Sequence, residues 1–206
     1  MRRILVLSAV VLLMAANTGR VEEDKKGEPF FDKELSGWEG IKEYWSVKDG
    51  AIVGHTEKDP GFNTFLVSKK TYKDFEMTFE VRLKDGIGNS GVQIRSKLVD
   101  KKKEKFTVHG PQCDVGAGYW GSLYNEGKGM MKAAPKESQK VVKQKDFNKY
   151  SIRAVGKKVT IKVNGETTVD EEFKDLPDEG IIAFQLHAGY KTMEVTFKDI
   201  VFKEIK

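Results

Sequence analysis

"FEMTFEVRL", residues 75–83, carries an apolar side chain at every second position: Phe75, Met77, Phe79, Val81 and Leu83 alternate with Glu76, Thr78, Glu80 and Arg82. A period of two puts all five apolar groups on one face of an extended chain, so the segment reads as a strand with one buried side. The pattern recurs outward from it. "VTIKV" (159–163) repeats the alternation and runs into Asn164-Gly165, a pair suited to a two-residue hairpin turn. With "YSIRAVG" (150–156) before it and "ETTVDEEF" (166–173) after it, this predicts a three-strand meander. "GVQIRSKL" (91–98), "GIIAFQLH" (180–187) and "MEVTFKDIVFKEI" (193–205) supply further strands. The last changes its apolar phase between Phe197 and Ile200, as a β-bulge would cause. No stretch has the period of a long amphipathic helix, and no strand–helix–strand rhythm appears. The chain reads as one all-β domain over residues 28–206, an antiparallel sandwich.

Composition narrows the function classes. Among 206 residues, 36 Lys+Arg stand against 31 Asp+Glu. The resulting net charge of +5 is modest and spread along the chain, which argues against a nucleic-acid surface. The densest run, "DKKKEK" (100–105), alternates with acids and reads as a solvated hairpin tip. The amino-terminal "MRRILVLSAVVLLMAA" has two arginines, an apolar run and then small residues, the layout of a signal peptide. Residues 1–19 are assigned to that signal and its leader. The expectation is an exported protein, periplasmic or extracellular, with no stable membrane insertion after cleavage. Cys113 is the sole cysteine, so no internal disulfide can form and the core must carry the stability. In an alternating strand such a cysteine reads as a small buried group rather than a nucleophile.

Polar residues inside alternating strands are where chemistry is to be sought. In "GNSGVQIRS" (88–96), Gln93 and Arg95 fall opposite Val92 and Ile94. In "GPQCDVG" (110–116), Gln112 and Asp114 fall opposite Cys113 and Val115, and an aspartate in mid-strand runs against β propensity. In "IIAFQLHAG" (181–189), Gln185 and His187 share a face. Three strands that each pair a glutamine with Arg, Asp or His predict one polar, concave sheet face. The glycine-rich loop "GAGYWGSLYNEGKG" (116–129) would rim it, with Tyr119, Trp120 and Tyr124 able to stack on a sugar ring and Glu126 as a second carboxylate beside Asp114. No zinc-ligand spacing, phosphate-binding loop or nucleophile elbow is present in the sequence.

Taken in order, "NTFLVSKKTYKDFEMTFEVRL", "GNSGVQIRS", "GPQCDVGAGYWGSLYNEGKG", "DFNKYSIRAVGKKVTIKVNG" and "GIIAFQLHAG…MEVTFKDIVF" resemble the 3-keto-disaccharide hydrolase domain family, from about Phe30 to the end of the chain. The resemblance implies a concanavalin-A-like jelly roll of two antiparallel sheets. It also implies hydrolysis or elimination of the glycosidic bond in glycosides oxidised at carbon 3, through removal of the proton on carbon 2. Asn89, Gln93 and Arg95 match its Asn-Ser-Gly strand, Gln112 and Asp114 its Gln-x-Asp strand, Tyr124 and Glu126 the following loop, and Gln185 and His187 the penultimate strand. Lys128 stands where similar sequences often carry Arg, and Phe147 where they often carry Trp. On this reading Asp114, Glu126, His187 and Arg95 are the candidate catalytic residues. His187 or Asp114 would be the base, Arg95 or a divalent metal ion would stabilise the enolate, and Glu126 would assist the leaving group. Asn89, Gln93, Gln112, Trp120, Tyr124, Lys128 and Gln185 would bind the carbohydrate. The resemblance admits a divalent metal, with ligands the sequence does not identify, and no organic cofactor. Two rivals share the sandwich. One is a non-catalytic carbohydrate-binding module, which would need the aromatic shelf but no acid or base. The other is a retaining glycosidase, which needs a closely spaced carboxylate pair.

Overall fold

The computed structural model describes residues 29–100 and 106–206. The signal-peptide assignment and most of the "DKKKEK" run lie outside the described residues. The strands are β1 (Trp38–Glu39), β2 (Trp45–Lys48), β3 (Ala51–Thr56), β4 (Thr64–Tyr72), β5 (Phe75–Leu83), β6 (Asn89–Asp100) and β7 (Thr107–Gly116). They continue with β8 (Leu123–Glu126), β9 (Gly129–Lys132), β10 (Asn148–Val155), β11 (Lys158–Val163), β12 (Glu166–Glu172), β13 (Gly180–Leu186) and β14 (Met193–Glu204). Every pairing is antiparallel, in two seven-stranded sheets ordered β1-β4-β13-β6-β7-β8-β9 and β12-β11-β10-β5-β14-β3-β2.

The opening segment is the centre of the second sheet. Its five apolar residues are buried in the core and its polar residues face out, so the period-two reading holds along all of β5. Each aromatic side chain removed from water there contributes about 2–3 kcal/mol. Phe79 stacks on Tyr150 of the neighbouring β10 at a centroid distance of 5.1 Å within the second sheet, while Phe184 of β13 meets Phe197 of β14 at 4.7 Å and ties the two sheets together. The meander is present as β10–β11–β12, with Asn164 and Gly165 both at positive φ in the turn. The phase change in β14 is a bulge: the register slips between Lys198 and Val201, and Asp199 takes φ 53°.

A second bulge decides where the site can be. Between Gln93 and Lys97, β6 carries one residue more than β7 opposes, and the register against β13 slips at the same place. Arg95, at φ 46°, sits in that bulge. Its side chain therefore leaves the face it would share with Gln93 in a regular strand.

Candidate functional site

The polar face is assembled from the first sheet. Gln93 alternates with core-facing Val92 and Ile94, Asp114 with Cys113 and Val115, and Gln185 with Phe184 and Leu186, so all three point away from the core. These side chains form a connected network. The Gln93 and Gln112 amides meet at 2.9 Å. Gln112 Nε2 donates to Asp114 Oδ1 at 2.8 Å and to Gln185 Oε1 at 3.1 Å. Gln185 Nε2 donates to Glu126 Oε1 at 2.6 Å. Two glutamines thus bridge the two carboxylates. Glu126 on β8 reaches Gln185 on β13 over the intervening β7 and β6, which requires the sheet to curl, so this face is concave.

Two glycines make the network possible. Gly91 lies opposite Asp114, and a Cβ there would stand 2.6 Å from Gln112 Cγ. Without a side chain at that position, Gln112 can lie across β6. Gly116 lies opposite Asn89, and a Cβ there would stand 2.4 Å from Asn89 Nδ2. The Asn-Ser-Gly stretch and the end of β7 are therefore matched to each other sterically.

Above the network opens a pocket of about 370 Å³, lined by Asn63, Asn89, Gln112, Asp114, Tyr119, Tyr124, Glu126, His187 and Tyr190. Asp114 is only 5% exposed. Burial, reinforced by the negative charge of Glu126, pushes its carboxyl up to about 7, against the opposing hydrogen bond from Gln112. Behind it, Tyr150 Oη donates to the Asp114 backbone carbonyl at 3.1 Å and fixes that stretch of β7 from the core side. His187 follows β13, with Nδ1 2.6 Å from the Ala188 carbonyl. A carbonyl only accepts, so Nδ1 carries the hydrogen; in the neutral ring Nε2 then keeps its lone pair. The loop bearing His187 is held by a second loop: Ala188 N–H donates to Asn63 Oδ1 at 3.0 Å and Gly189 N–H to Asp59 Oδ1 at 2.9 Å.

Of the residues expected here, Asn89, Gln112, Asp114, Tyr124, Glu126 and His187 line the pocket, and Gln93 and Gln185 are its fully buried supports. Three lie elsewhere. Arg95 turns to the far side of the sheet: its guanidinium donates to Gly156 O at 2.6 Å, Pro177 O at 3.1 Å and Asp74 Oδ1 at 2.8 Å, and also to Lys73 O. It clamps the β4–β5 and β12–β13 connections, which pass between the sheets, to the β10–β11 turn, and it is not part of the pocket wall. Trp120 is 1% exposed in the core, because the turn after Gly116 folds back (Trp120 N–H to Gly116 O, 3.1 Å) and buries the larger ring. Its neighbour Tyr119, 51% exposed, takes the rim instead. Lys128 is exposed in the β8–β9 turn and is not part of the pocket wall. Asn63 and Tyr190 were not anticipated. Both lie in connections rather than strands, where periodicity carries no signal.

Among the described residues no group of three or more His, Cys, Asp or Glu side chains is placed to hold a metal ion. No helix among them is long and apolar enough to cross a membrane.

Comparison with solved structures supports the same architecture. A candidate glycosyl hydrolase from Parabacteroides distasonis superposes with a TM-score of 0.62 at 19% identity, covering 86% of this chain and 98% of its own. A carbohydrate-binding module, CBM66 from Bacillus subtilis, gives 0.58 at 15% identity, over 84% and 99%. A Bacillus subtilis protein of unknown function with a galectin-like fold gives 0.55 at 11% identity, over 82% and 86%. At these identities the likeness is one of fold, and the fold is the expected concanavalin-A-like jelly roll. Among curated proteins, none matches the chain by sequence. Residues 26–203 match the model of the 3-keto-alpha-glucoside-1,2-lyase-like domain.

Proposed function

The chain belongs to the 3-keto-alpha-glucoside-1,2-lyase-like domain family, and from that premise we propose that its pocket cleaves glycosides already oxidised to a ketone at carbon 3. The observation that carries the proposal is the pairing, in one pocket, of a buried carboxyl poised near neutrality with a histidine whose Nδ1 is committed to a backbone carbonyl. A ketone at carbon 3 acidifies the hydrogen on carbon 2. His187 Nε2 takes that proton, and the C–H electron pair becomes the enolate on the carbon-3 oxygen. Collapse of the enolate restores the ketone, forms a double bond between carbons 1 and 2, and expels the glycosidic oxygen. Asp114, protonated, delivers its proton to that oxygen. Water then adds at carbon 1 while His187 returns a proton to carbon 2 and Asp114 recovers one from the water, giving net hydrolysis. Release before water adds would give the lyase product.

Of the roles the resemblance implied, His187 as base is kept, while those of Arg95 and Glu126 change. Arg95 is remote, so the donors available to the enolate oxygen are the Asn63 and Asn89 amides and the tyrosine hydroxyls of the wall. Glu126, anchored by Gln185, orients the sugar and keeps the Asp114 proton in place by its charge. The signal-like amino terminus supports action outside the cytoplasm, on carbohydrate that another enzyme has oxidised.

The test is incubation with a 3-keto-glucoside bearing a chromogenic leaving group, in deuterated water. Release of the leaving group with deuterium at carbon 2 of recovered substrate or product is expected, and both fall sharply in His187→Ala. Release that gives a product hydrated at carbon 1 without deuterium at carbon 2, and no product with a double bond between carbons 1 and 2, would refute carbon-2 proton abstraction. The likeness to a carbohydrate-binding module keeps a second reading in play. Binding of glycosides with no release from any keto-glycoside would decide for it.

A further inference from the structure

We propose that the pocket selects sugars that are uncharged or carry an amine, and rejects those bearing a carboxylate or sulfate; the inference rests on the reading that this pocket binds carbohydrate. Its wall holds two carboxylates, Asp114 and Glu126, and three tyrosines, Tyr119, Tyr124 and Tyr190, and among the described residues no lysine or arginine lines it. Holding an anion in a pocket requires cationic forks or convergent N–H donors. No cationic fork is on offer here, and the amides that do line the wall, Asn63 and Asn89, share it with the carboxyl groups of Asp114 and Glu126. Arg95, the arginine nearest in sequence to the site motif, directs its guanidinium to three carbonyls and Asp74 on the other side of the sheet. The floor's amide donors are also committed. The two N–H groups of Gln112 point to Asp114 and to Gln185, and Gln185 in turn donates to Glu126. The relay therefore directs its hydrogen-bond donors toward the protein's own carboxylates rather than toward a ligand. A carboxylate or sulfate on the bound sugar would bring a further negative charge into the pocket with no partner, which is discrimination by an unpaired charge. An ammonium group would meet the carboxylates and the faces or edges of tyrosine rings, surroundings that favour a cation.

The experiment titrates isotopically labelled full-length protein with the methyl glucoside, methyl glucosaminide and methyl glucuronide of one anomeric form at pH 7, following amide chemical shifts. The glucosaminide is expected to bind as well as the glucoside or better, and the glucuronide about tenfold or more weakly than the glucoside at low salt. That gap should narrow in 0.5 M salt, about one Debye length of 4 Å, and in Glu126→Gln, whose spectrum also reports that it is folded. A glucuronide that binds as tightly as the glucoside overturns the inference while leaving the carbohydrate site intact. If none of the three shifts the pocket resonances, this inference is overturned, and if a methyl 3-keto-glucoside shifts none either, the carbohydrate reading falls with it.

Discussion

Replacing Asp114 by Asn should stabilise the protein at alkaline pH and leave it nearly unchanged in acid. The Asp114 carboxyl is buried, and its ionisation is pushed from 3.8 to about 7. A raised carboxyl binds its proton more tightly in the folded state than in the unfolded chain. Stability relative to a non-titrating side chain is therefore full below pH 4 and declines as pH rises through the interval up to about 7. About three units at 1.36 kcal/mol each make the loss about 4 kcal/mol above pH 7. Asparagine can still accept from Gln112 and carries no charge to desolvate. Urea denaturation of both proteins at pH 4.5 and pH 8 measures the effect as a difference of differences, in which the other titrating groups cancel. With an m-value of about 2 kcal/mol/M, the variant's midpoint should exceed the wild type's by about 2 M at pH 8 and by only about 0.5 M at pH 4.5. A difference independent of pH would mean that Asp114 ionises normally in the fold, and the argument for it as the proton donor would go too. Stability gained together with activity lost is the expected signature of a strained catalytic group.

Gly91→Ala should cost about 1–3 kcal/mol by thermal or chemical unfolding and abolish ligand binding, because the new methyl group meets Gln112 Cγ at 2.6 Å and the Cys113 carbonyl at 2.9 Å. Trp120→Ala should destabilise by about 3–5 kcal/mol as a core truncation, whereas Tyr119→Ala should leave the unfolding midpoint nearly unchanged and weaken sugar binding about tenfold. Arg95→Met should destabilise by about 3–5 kcal/mol, since it leaves three backbone carbonyls and Asp74 without their donor. Turnover of a 3-keto-glycoside should decline as pH rises past about 7, where Asp114 loses the proton it must donate, and a rate that instead keeps rising would assign Asp114 as the base.

The sandwich was legible in the residues because alternation is a local property. β5 shows its buried face in nine consecutive letters, and Asn164-Gly165 states its own turn. The mid-strand Asp114 and the three glutamines were legible for the same reason, as polar groups at positions where a regular strand would face away from the core. Local period also announced the bulge in β14, since the apolar phase visibly slips after Phe197. In β6 the extra residue left no such mark: Gln93 and Arg95 keep the same parity, and only the pairing with β7 and β13 shows that the backbone turns over between them. Trp120 and Tyr119 are adjacent aromatics, and which one enters the core depends on how the turn after Gly116 closes against the second sheet. Asn63, Asp59 and Tyr190 come to the site from loops far apart in the chain, joined by bonds such as Ala188 N–H to Asn63. Local alternation marks β5 to β7 and β10 to β14 and the polar groups set within them, but not β1 to β4, nor β8 and β9, which rise from the stretch read as a loop. Which of those residues share a pocket is settled in three dimensions, because the β6 bulge, loop closure and sheet curvature depend on partners distant in the chain.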